Sequence, residues 1–224
     1  MAPPPEFTPA NPMAHPPASP VARPPIRRAP AVPTLEGQLL TRGANTALPP
    51  DAQSAGLVVE LGWFTSVDAV ELDASAILLD HTGRVAADED FVFFNNPHSP
   101  DGAVELDPQR RLDSLGYAVT TVSVSLDRLA GHVHSIVFPV SIYEPEQRGH
   151  SFGLVPTAFA RIAVGSPRRP VATFVIDNLP DATESAMVFC EIYRRNDMWK
   201  IRAIGQGYAS GLAGIATDYG VDVG

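Results

Sequence analysis

The residues best suited to chemistry are acidic, and they crowd into one stretch of the sequence. Residues 68–113 contain eleven Asp and Glu side chains against three arginines. Calcium selects carboxylate and amide oxygens, because it takes about six to eight oxygen ligands in flexible geometry. If the loops at one end of a sandwich bring them together, the candidate ligands are Asp73, Asp90, Asn95, Asn96 and Asp101. The residues alone favour a plainer interpretation, in which the acids face solvent along a strand edge and Asn-Pro and Pro-Asp-Gly form turns.

The segment Gly-His-Ser-Phe-Gly at residues 149–153 matches the G-x-S-x-G pattern of hydrolases, with Ser151 in the nucleophile position. In that arrangement the catalytic histidine follows the serine, whereas all six histidines of this chain lie at or before residue 150. Pro156 would also interrupt the helix that must follow the serine. The order of the residues argues against hydrolase activity, so we expect no enzyme and no catalytic residues.

Three other features have structural explanations that we prefer. His132 and His134 would share one face of a strand and could pair on a metal ion, but no carboxylate or cysteine stands at a suitable spacing. The glycine-rich segment 205–211 lacks the Lys-Ser/Thr of a phosphate-binding loop, so we predict tight strand-to-helix packing there. Cys190, the single cysteine, lies in an apolar strand pattern and is predicted to be buried.

The periodicity of the apolar residues is mostly that of strands. Short runs rich in Val, Ile and Phe, bounded by turn residues, predict nine strands. They cover residues 56–63, 75–80, 90–96, 118–126, 134–143, 159–164, 171–177, 186–195 and 198–208. Residues 80–84 and 194–198 resemble hairpin turns, and residues 125–133 and 209–220 could carry short helices. We therefore predict an all-β fold, a β-sandwich of about nine to ten mostly antiparallel strands with one or two short helices.

The N-terminal segment has a different composition. Residues 1–34 hold 12 of the 23 prolines and few large apolar side chains, so they cannot bury enough surface to offset the entropy of ordering. We predict a disordered proline-rich tail over residues 1–36 and one folded domain over residues 37–224. Short proline motifs in the tail could dock in an aromatic groove, although a linker is the simpler interpretation.

The charge and the cysteine content narrow the class of protein. The net charge is −9 and the tail is basic, so the folded part is acidic and suited to cations or basic partners rather than nucleic acid. No uncharged apolar run approaches the roughly 18 residues of a membrane span. A single cysteine and the absence of a secretory signal pattern lead us to expect a cytoplasmic protein.

Several segments together resemble the TerD family of tellurium-resistance and stress-response proteins. They are residues 40–45, 61–63, 71–80, 90–104, 137–155 and 186–223, so the resemblance covers nearly everything from about residue 38 onward. It implies a β-sandwich that binds calcium through Asp and Asn, has no established enzymatic activity, and works with protein partners in a membrane-associated stress complex. Carried over by position, the implied calcium ligands are the five candidates named above. The resemblance also places Ser151 at a non-catalytic position.

The chain departs from the family pattern at three places. Phe64 stands where an acid is usual, and Glu71 replaces an aspartate. The family's acidic loop Gly-Asp-Gly-Asp-Asp-Glu is missing, and residues 105–121, with Arg110 and Arg111, stand in its place. Since the number of charged ligands tunes calcium affinity, we expect a weakened or partial site in a module that docks protein partners. The alternative is a metal-independent scaffold that uses the same sandwich and the proline-rich tail.

Overall fold

The computed structural model describes residues 28–30, 36–107, 109–177, 179 and 182–222. Within these residues the chain forms fourteen strands in two seven-stranded sheets that share one core. Sheet A consists of β1 (Gln38–Leu40), β3 (Leu57–Phe64), β7 (Val104–Leu106), β8 (Arg111–Leu112), β9 (Ala118–Val124), β11 (Thr157–Val164) and β12 (Arg169–Asp177). Sheet B consists of β2 (Asn45–Ala47), β4 (Leu72–Ala74), β5 (Ala76–Leu79), β6 (Phe91–Val92), β10 (Ser135–Ile142), β13 (Ala186–Arg195) and β14 (Met198–Tyr208).

The predicted β-sandwich is confirmed. Eight of the nine predicted strands are present over most of their length, whereas the strand predicted over residues 90–96 is reduced to Phe91–Val92, because Phe93 and Asn96 close a turn. Among the described strands only β1 and β12 pair in parallel. The five further strands, β1, β2, β4, β7 and β8, are two or three residues long. Segments of that length are too short to show a periodicity, which is why the sequence does not reveal them. Most of the predicted tail lies outside the described residues.

Helices are short and peripheral. They are α1 (Ala52–Ala55), α2 (Pro145–Arg148) and α3 (Gly211–Tyr219), with 3-10 turns at Asp88–Asp90 and Phe152–Leu154. The predicted closing helix is confirmed as α3, which ends at Gly220 with a φ of 85°. No helix forms within residues 125–133, because the backbone N–H of Ala130 donates to the carboxylate of Asp101 instead of a helical carbonyl.

The predicted hairpin turn at residues 194–198 is also confirmed. Arg195 pairs with Met198, and Asn196 and Asp197 between them have φ values of 51° and 59°. Two successive residues with positive φ are characteristic of the type I′ turn, whose twist matches that of the strands it joins. The turn therefore fixes the register of β13 against β14.

Strand β10 lies at the centre of sheet B and is buried along all eight residues. Ile136 and Phe138 face the core shared by the two sheets, whereas Val137 packs against α3 on the outer face. Pro139 lies in this central strand where the register shifts at Phe138/Pro139, and irregularities of this kind are the places where a sheet tolerates proline. Its carbonyl accepts a hydrogen bond from the backbone N–H of Ser75, between β4 and β5.

The outer face of sheet A carries an aromatic cluster of Phe64, Tyr117 and Phe159. The ring of Phe159 lies over Gly62, its cross-strand partner on β3. A Cβ atom at position 62 would stand 2.2 Å from that ring, so only glycine fits beneath it. This close approach ties the aromatic cluster to the two central strands of sheet A.

Replacing Gly62 with alanine should lower the free energy of unfolding by about 1–3 kcal/mol, because the new methyl group displaces the Phe159 ring. The matched control is Gly131→Ala, where an added Cβ meets nothing within 4 Å and the change should stay within about 0.5 kcal/mol. Urea unfolding followed by tryptophan fluorescence measures both. Equal stability of the two variants would contradict the close approach of ring and glycine.

Candidate functional site

An open cleft lies where β7 and β9 of sheet A approach β4 of sheet B. Its volume is about 350 Å³. The side chains that line it include three acids, one arginine and one exposed aromatic ring, and they are Glu71, Asp73, Phe94, Leu106, Asp107, Arg110 and Thr120. Phe94 is 59% exposed at the rim, in a tight turn between Phe93 and Asn96.

Positive charge from an arginine acts on each acid of the cleft. Burial raises the pKa of Asp73 above its ordinary value, the guanidinium of Arg110 opposes that rise, and Glu71 adds to it. The carboxylate of Asp107 accepts a hydrogen bond of 2.8 Å from Arg111. Arg148 Nη1 lies 3.6 Å from Glu71 Oε1. Arg110 and Arg111, which stand in place of the acidic loop, thus supply positive charge near the acids of the cleft.

Asp90 is a structural residue of its own loop. Its side chain is 7% exposed, and Oδ2 accepts hydrogen bonds from the backbone N–H groups of Ala86 and Ala87. His132 Nε2 lies 3.8 Å from the same oxygen. The carboxylate therefore closes the 3-10 turn that leads into β6 and holds it against the loop 126–134.

The two asparagines lie at the far end of that strand. Asn96 uses its side-chain amide to donate to the carbonyl oxygens of Phe91 and Glu89, at 2.9 and 3.2 Å. Asn95 is exposed in the two-residue turn with Phe94. Asn96 thus stabilises the turn that presents Phe94 to the cleft.

Asp101 organises a second loop. Oδ1 accepts hydrogen bonds from Ser99 Oγ and from the N–H of Ala103, and Oδ2 accepts one of 2.7 Å from the N–H of Ala130. Burial alone would raise the pKa of Asp101, but the hydrogen bonds outweigh it and lower the pKa below its ordinary value. The ionised carboxylate thereby joins the loop after β6 to the loop 126–134.

The structure does not bring the five predicted ligands together. Asp73 pairs with Ser141 near the end of β10, whereas Asp90 and Asp101 contact the loop that precedes Ser135 at its start. Six strand residues separate those two positions, which is about 20 Å. The described residues contain no group of three or more His, Cys, Asp or Glu side chains placed to hold a metal ion. The arrangement does not fit a shared calcium site, and calcium binding stays a prediction.

Sequence reasoning did not assign Glu71, Phe94, Asp107 and Arg110 to one site. One usable signal was present, since residues 71 and 73 are two apart and share a face of a strand. The position of Phe94 depends on a turn of only two residues, and that of Arg110 on a segment that belongs to no predicted strand. Neither could be read from periodicity.

The other motifs have structural roles in the described residues. Ser151 has an extended backbone with a φ of −146° and precedes a three-residue 3-10 turn rather than a helix, so it is not built as a nucleophile elbow. The side chains of His132 and His134 have different partners. His132 lies near Asp90, whereas the ring centroids of His134 and His81 are 6.0 Å apart.

One of the two predictions of burial and packing is confirmed, and the other needs a correction. In the glycine-rich segment, Cβ atoms on Gly205 and Gly207 would lie 3.1 Å from the Phe174 ring and 2.6 Å from the Glu184 side chain, so these glycines permit close packing against β12 and a loop rather than against a helix as predicted. Cys190 is buried, and burial raises the pKa of its thiol, which keeps the thiol protonated.

Fold and cleft together define a β-sandwich protein with an arginine-neutralised acidic cleft between its sheets. The sequence model of the TerD domain matches residues 37–219, and the chain belongs to the TerD family. It is 39% identical over 188 residues to the tellurium resistance protein TerD of Serratia marcescens, covering 82% of this chain and 97% of that protein. It is 35% identical over 173 residues to general stress protein 16U of Bacillus subtilis (strain 168), covering 75% and 89%.

A solved structure shows the same fold. The crystal structure of a homologue of telluride resistance protein (TerD) from Streptomyces coelicolor A3(2) superposes with a TM-score of 0.55 at 23% identity, covering 72% of this chain and 95% of that one. The resemblance of the sequence to a tellurium-resistance and stress-response family is therefore confirmed. Among the described residues, none of the helices has the length and hydropathy needed to cross a lipid bilayer.

Replacing Asp101 with asparagine should cost about 1–3 kcal/mol of unfolding free energy, because an amide nitrogen would face backbone donors. The folded pKa of Asp101 lies below the unfolded one, so this contribution is complete at neutral pH and is lost as the pH falls through the folded value. The difference from the native chain should therefore shrink in acid, below about pH 4.

Urea unfolding at several pH values, in EDTA and in millimolar calcium, measures this effect. Asp127→Asn is the matched control, because Asp127 is exposed and is not a predicted calcium ligand, so the same change there should alter stability by less than about 0.5 kcal/mol. A loss for Asp101→Asn that appears only with calcium would identify Asp101 as a metal ligand instead.

Proposed function

We propose that this chain is a non-enzymatic stress-response module that docks a protein partner at the acidic cleft without needing a metal ion. The relatives support the stress role, since they are named as tellurium resistance and general stress proteins. The docking role is supported by the exposure of Phe94, a large apolar ring at the rim of a cleft lined by charged groups. An aromatic anchor beside such groups is typical of the energetic centre of an interface.

The charge of the chain indicates the kind of partner. A net charge of −9 favours encounter with a basic surface, because complementary potentials steer association. The exposed pairs of Glu71 with Arg148 and of Asp107 with Arg111 are individually weak, so a basic side chain of the partner can replace the arginine. A cytoplasmic protein that meets a member of a membrane-associated stress complex fits this chemistry.

Calcium binding is the second candidate, because the family resemblance implies it, although the carboxylates that line the cleft are not among any group of described residues placed to hold an ion. Arg110 opposes it, because Arg110 and Asp73 line the same cleft and the guanidinium already supplies positive charge that acts on this carboxylate. We therefore propose that Arg110 takes the place of the cation in this member of the family. Arg110 then supplies positive charge to the cleft whether or not calcium is present in solution.

Isothermal titration of the native chain should show calcium binding in the millimolar range or weaker. Arg110→Gln should bind at least about tenfold more tightly, since one positive charge next to Asp73 is gone. Arg195→Gln removes the same charge from an exposed strand end and should leave the affinity unchanged. Micromolar binding by the native chain, or no gain in Arg110→Gln, would contradict the role of Arg110.

Partner capture tests the docking surface directly. The immobilised chain should retain the same proteins from a stressed-cell extract in EDTA as in calcium. Phe94→Asp should abolish that capture, whereas Leu112→Asp, a matched change at a residue 76% exposed on sheet A, should preserve it. Equal loss in both variants, or loss in EDTA alone, would refute metal-independent docking at the cleft.

A further inference from the structure

The aromatic cluster on the outer face of sheet A is buried on a side of the sandwich that normally faces solvent. Phe64, Tyr117 and Phe159 are 4%, 0% and 1% exposed. The ring centroids of Phe64 and Tyr117 are 5.9 Å apart, and those of Tyr117 and Phe159 are 5.6 Å apart. Three large rings on an outer face need a cover, because such a patch exposed to water would favour association.

Part of that cover comes from sheet A itself. The guanidinium carbon of Arg161 lies 4.9 Å from the centre of the Phe159 ring, and Val119 packs at the side of the cluster. Arg161 also pairs with Glu60, which fixes its position along the strand face. Arg161 and Glu60 form the polar part of this cover, on one side of the rings.

A further contact comes from the proline-rich N-terminal segment. Ala29 packs against the aromatic cluster, and the hydroxyl of Tyr117 donates a hydrogen bond of 3.3 Å to the carbonyl oxygen of Pro30. These partners are 87 residues apart in the sequence. Burial raises the pKa of Tyr117, Thr157 opposes this, and Asp113 adds to it, so the hydroxyl keeps its proton and remains a donor at neutral pH.

The chemistry of this contact is that of proline-peptide recognition. Proline has a restricted φ and no N–H, so a proline-rich chain loses little entropy on binding and offers mainly carbonyl oxygens for hydrogen bonds. Surfaces that bind such chains combine a floor of aromatic rings with a few donors at its edge. Phe64 and Phe159 supply rings here, and Tyr117 supplies both a ring and the donor.

We infer that the Phe64–Tyr117–Phe159 face is a binding site for proline-rich chain, and that residues 28–30 of the same molecule occupy it. The bound segment anchors the N-terminal tail to sheet A and keeps other proline-rich chains off the rings. This site lies on the outer face of sheet A and is separate from the acidic cleft. Its tests are therefore independent of the docking function proposed above.

Trypsin cleavage between Arg28 and Ala29 measures the contact in the full chain. A free peptide of residues 22–33 gives the intrinsic cleavage rate, and the native chain should be cut at least about tenfold more slowly. Tyr117→Phe removes only the donor and should speed cleavage about three- to tenfold. Ala29→Gln should lose most of the protection against cleavage, measured against a free peptide of residues 22–33 that carries the same substitution. Ala213→Gln changes an exposed residue on α3 and should lose none of the protection.

A second measurement tests the surface itself. A fluorescein-labelled peptide of residues 22–33 should bind the Ala29→Gln chain saturably in an anisotropy titration, and it should bind the native chain at least about tenfold more weakly, because the native segment competes. Urea midpoints close to the native value show that both variants are folded.

Three results would overturn the inference. Cleavage of the native chain at the rate of the free peptide would mean that the segment does not dock. Protection that falls when the protein is diluted would assign the occupant to a second copy of the chain. Failure of the peptide to bind the folded Ala29→Gln chain would show that the rings do not form a site for proline-rich chain.

Discussion

Strand β10 is the constraint on which the rest of the structure depends. Every one of its residues is buried, because sheet A covers one face and α3 the other, and it pairs with β13 on one side and with β4 and β5 on the other. A strand held in this way cannot bend to bring its ends together. The cleft near Asp73 and the loop braced by Asp90 and Asp101 are therefore fixed at opposite ends, and their carboxylates cannot converge on one ion.

Because β10 holds its two ends apart, the acids of the chain have two different roles. Asp90 and Asp101 accept hydrogen bonds from backbone N–H groups of loops, which satisfies donors that would otherwise be unpaired. The acids of the cleft face arginines instead. Membership of the TerD family therefore describes the scaffold, whereas the chemistry of the cleft depends on residues such as Arg110 that this chain places there.

The two outer faces of the sandwich are covered by different means. Helix α3 packs on sheet B through Ile215 and Ala216, and Ala29 and Pro30 lie against the aromatic cluster on sheet A. That cluster contains Phe64, which departs from the family pattern, and Ala29 precedes the family domain. The two features depend on each other physically, because an apolar ring on an outer face is favourable only when something apolar lies over it.

The amino-acid sequence by itself determined the longer strands, the hairpin at residues 194–198, α3 and the family, because alternation, turn chemistry and glycine caps are local properties. It also identified which acids are present. Only the tertiary structure decided what they do: whether Asp73 lies in one cleft with Arg110 or near Asp90 depends on the length and pairing of β10, and whether Tyr117 meets Pro30 depends on a contact across 87 residues. Such contacts follow from how the strands are ordered in the two sheets, and no local pattern in the chain encodes that order.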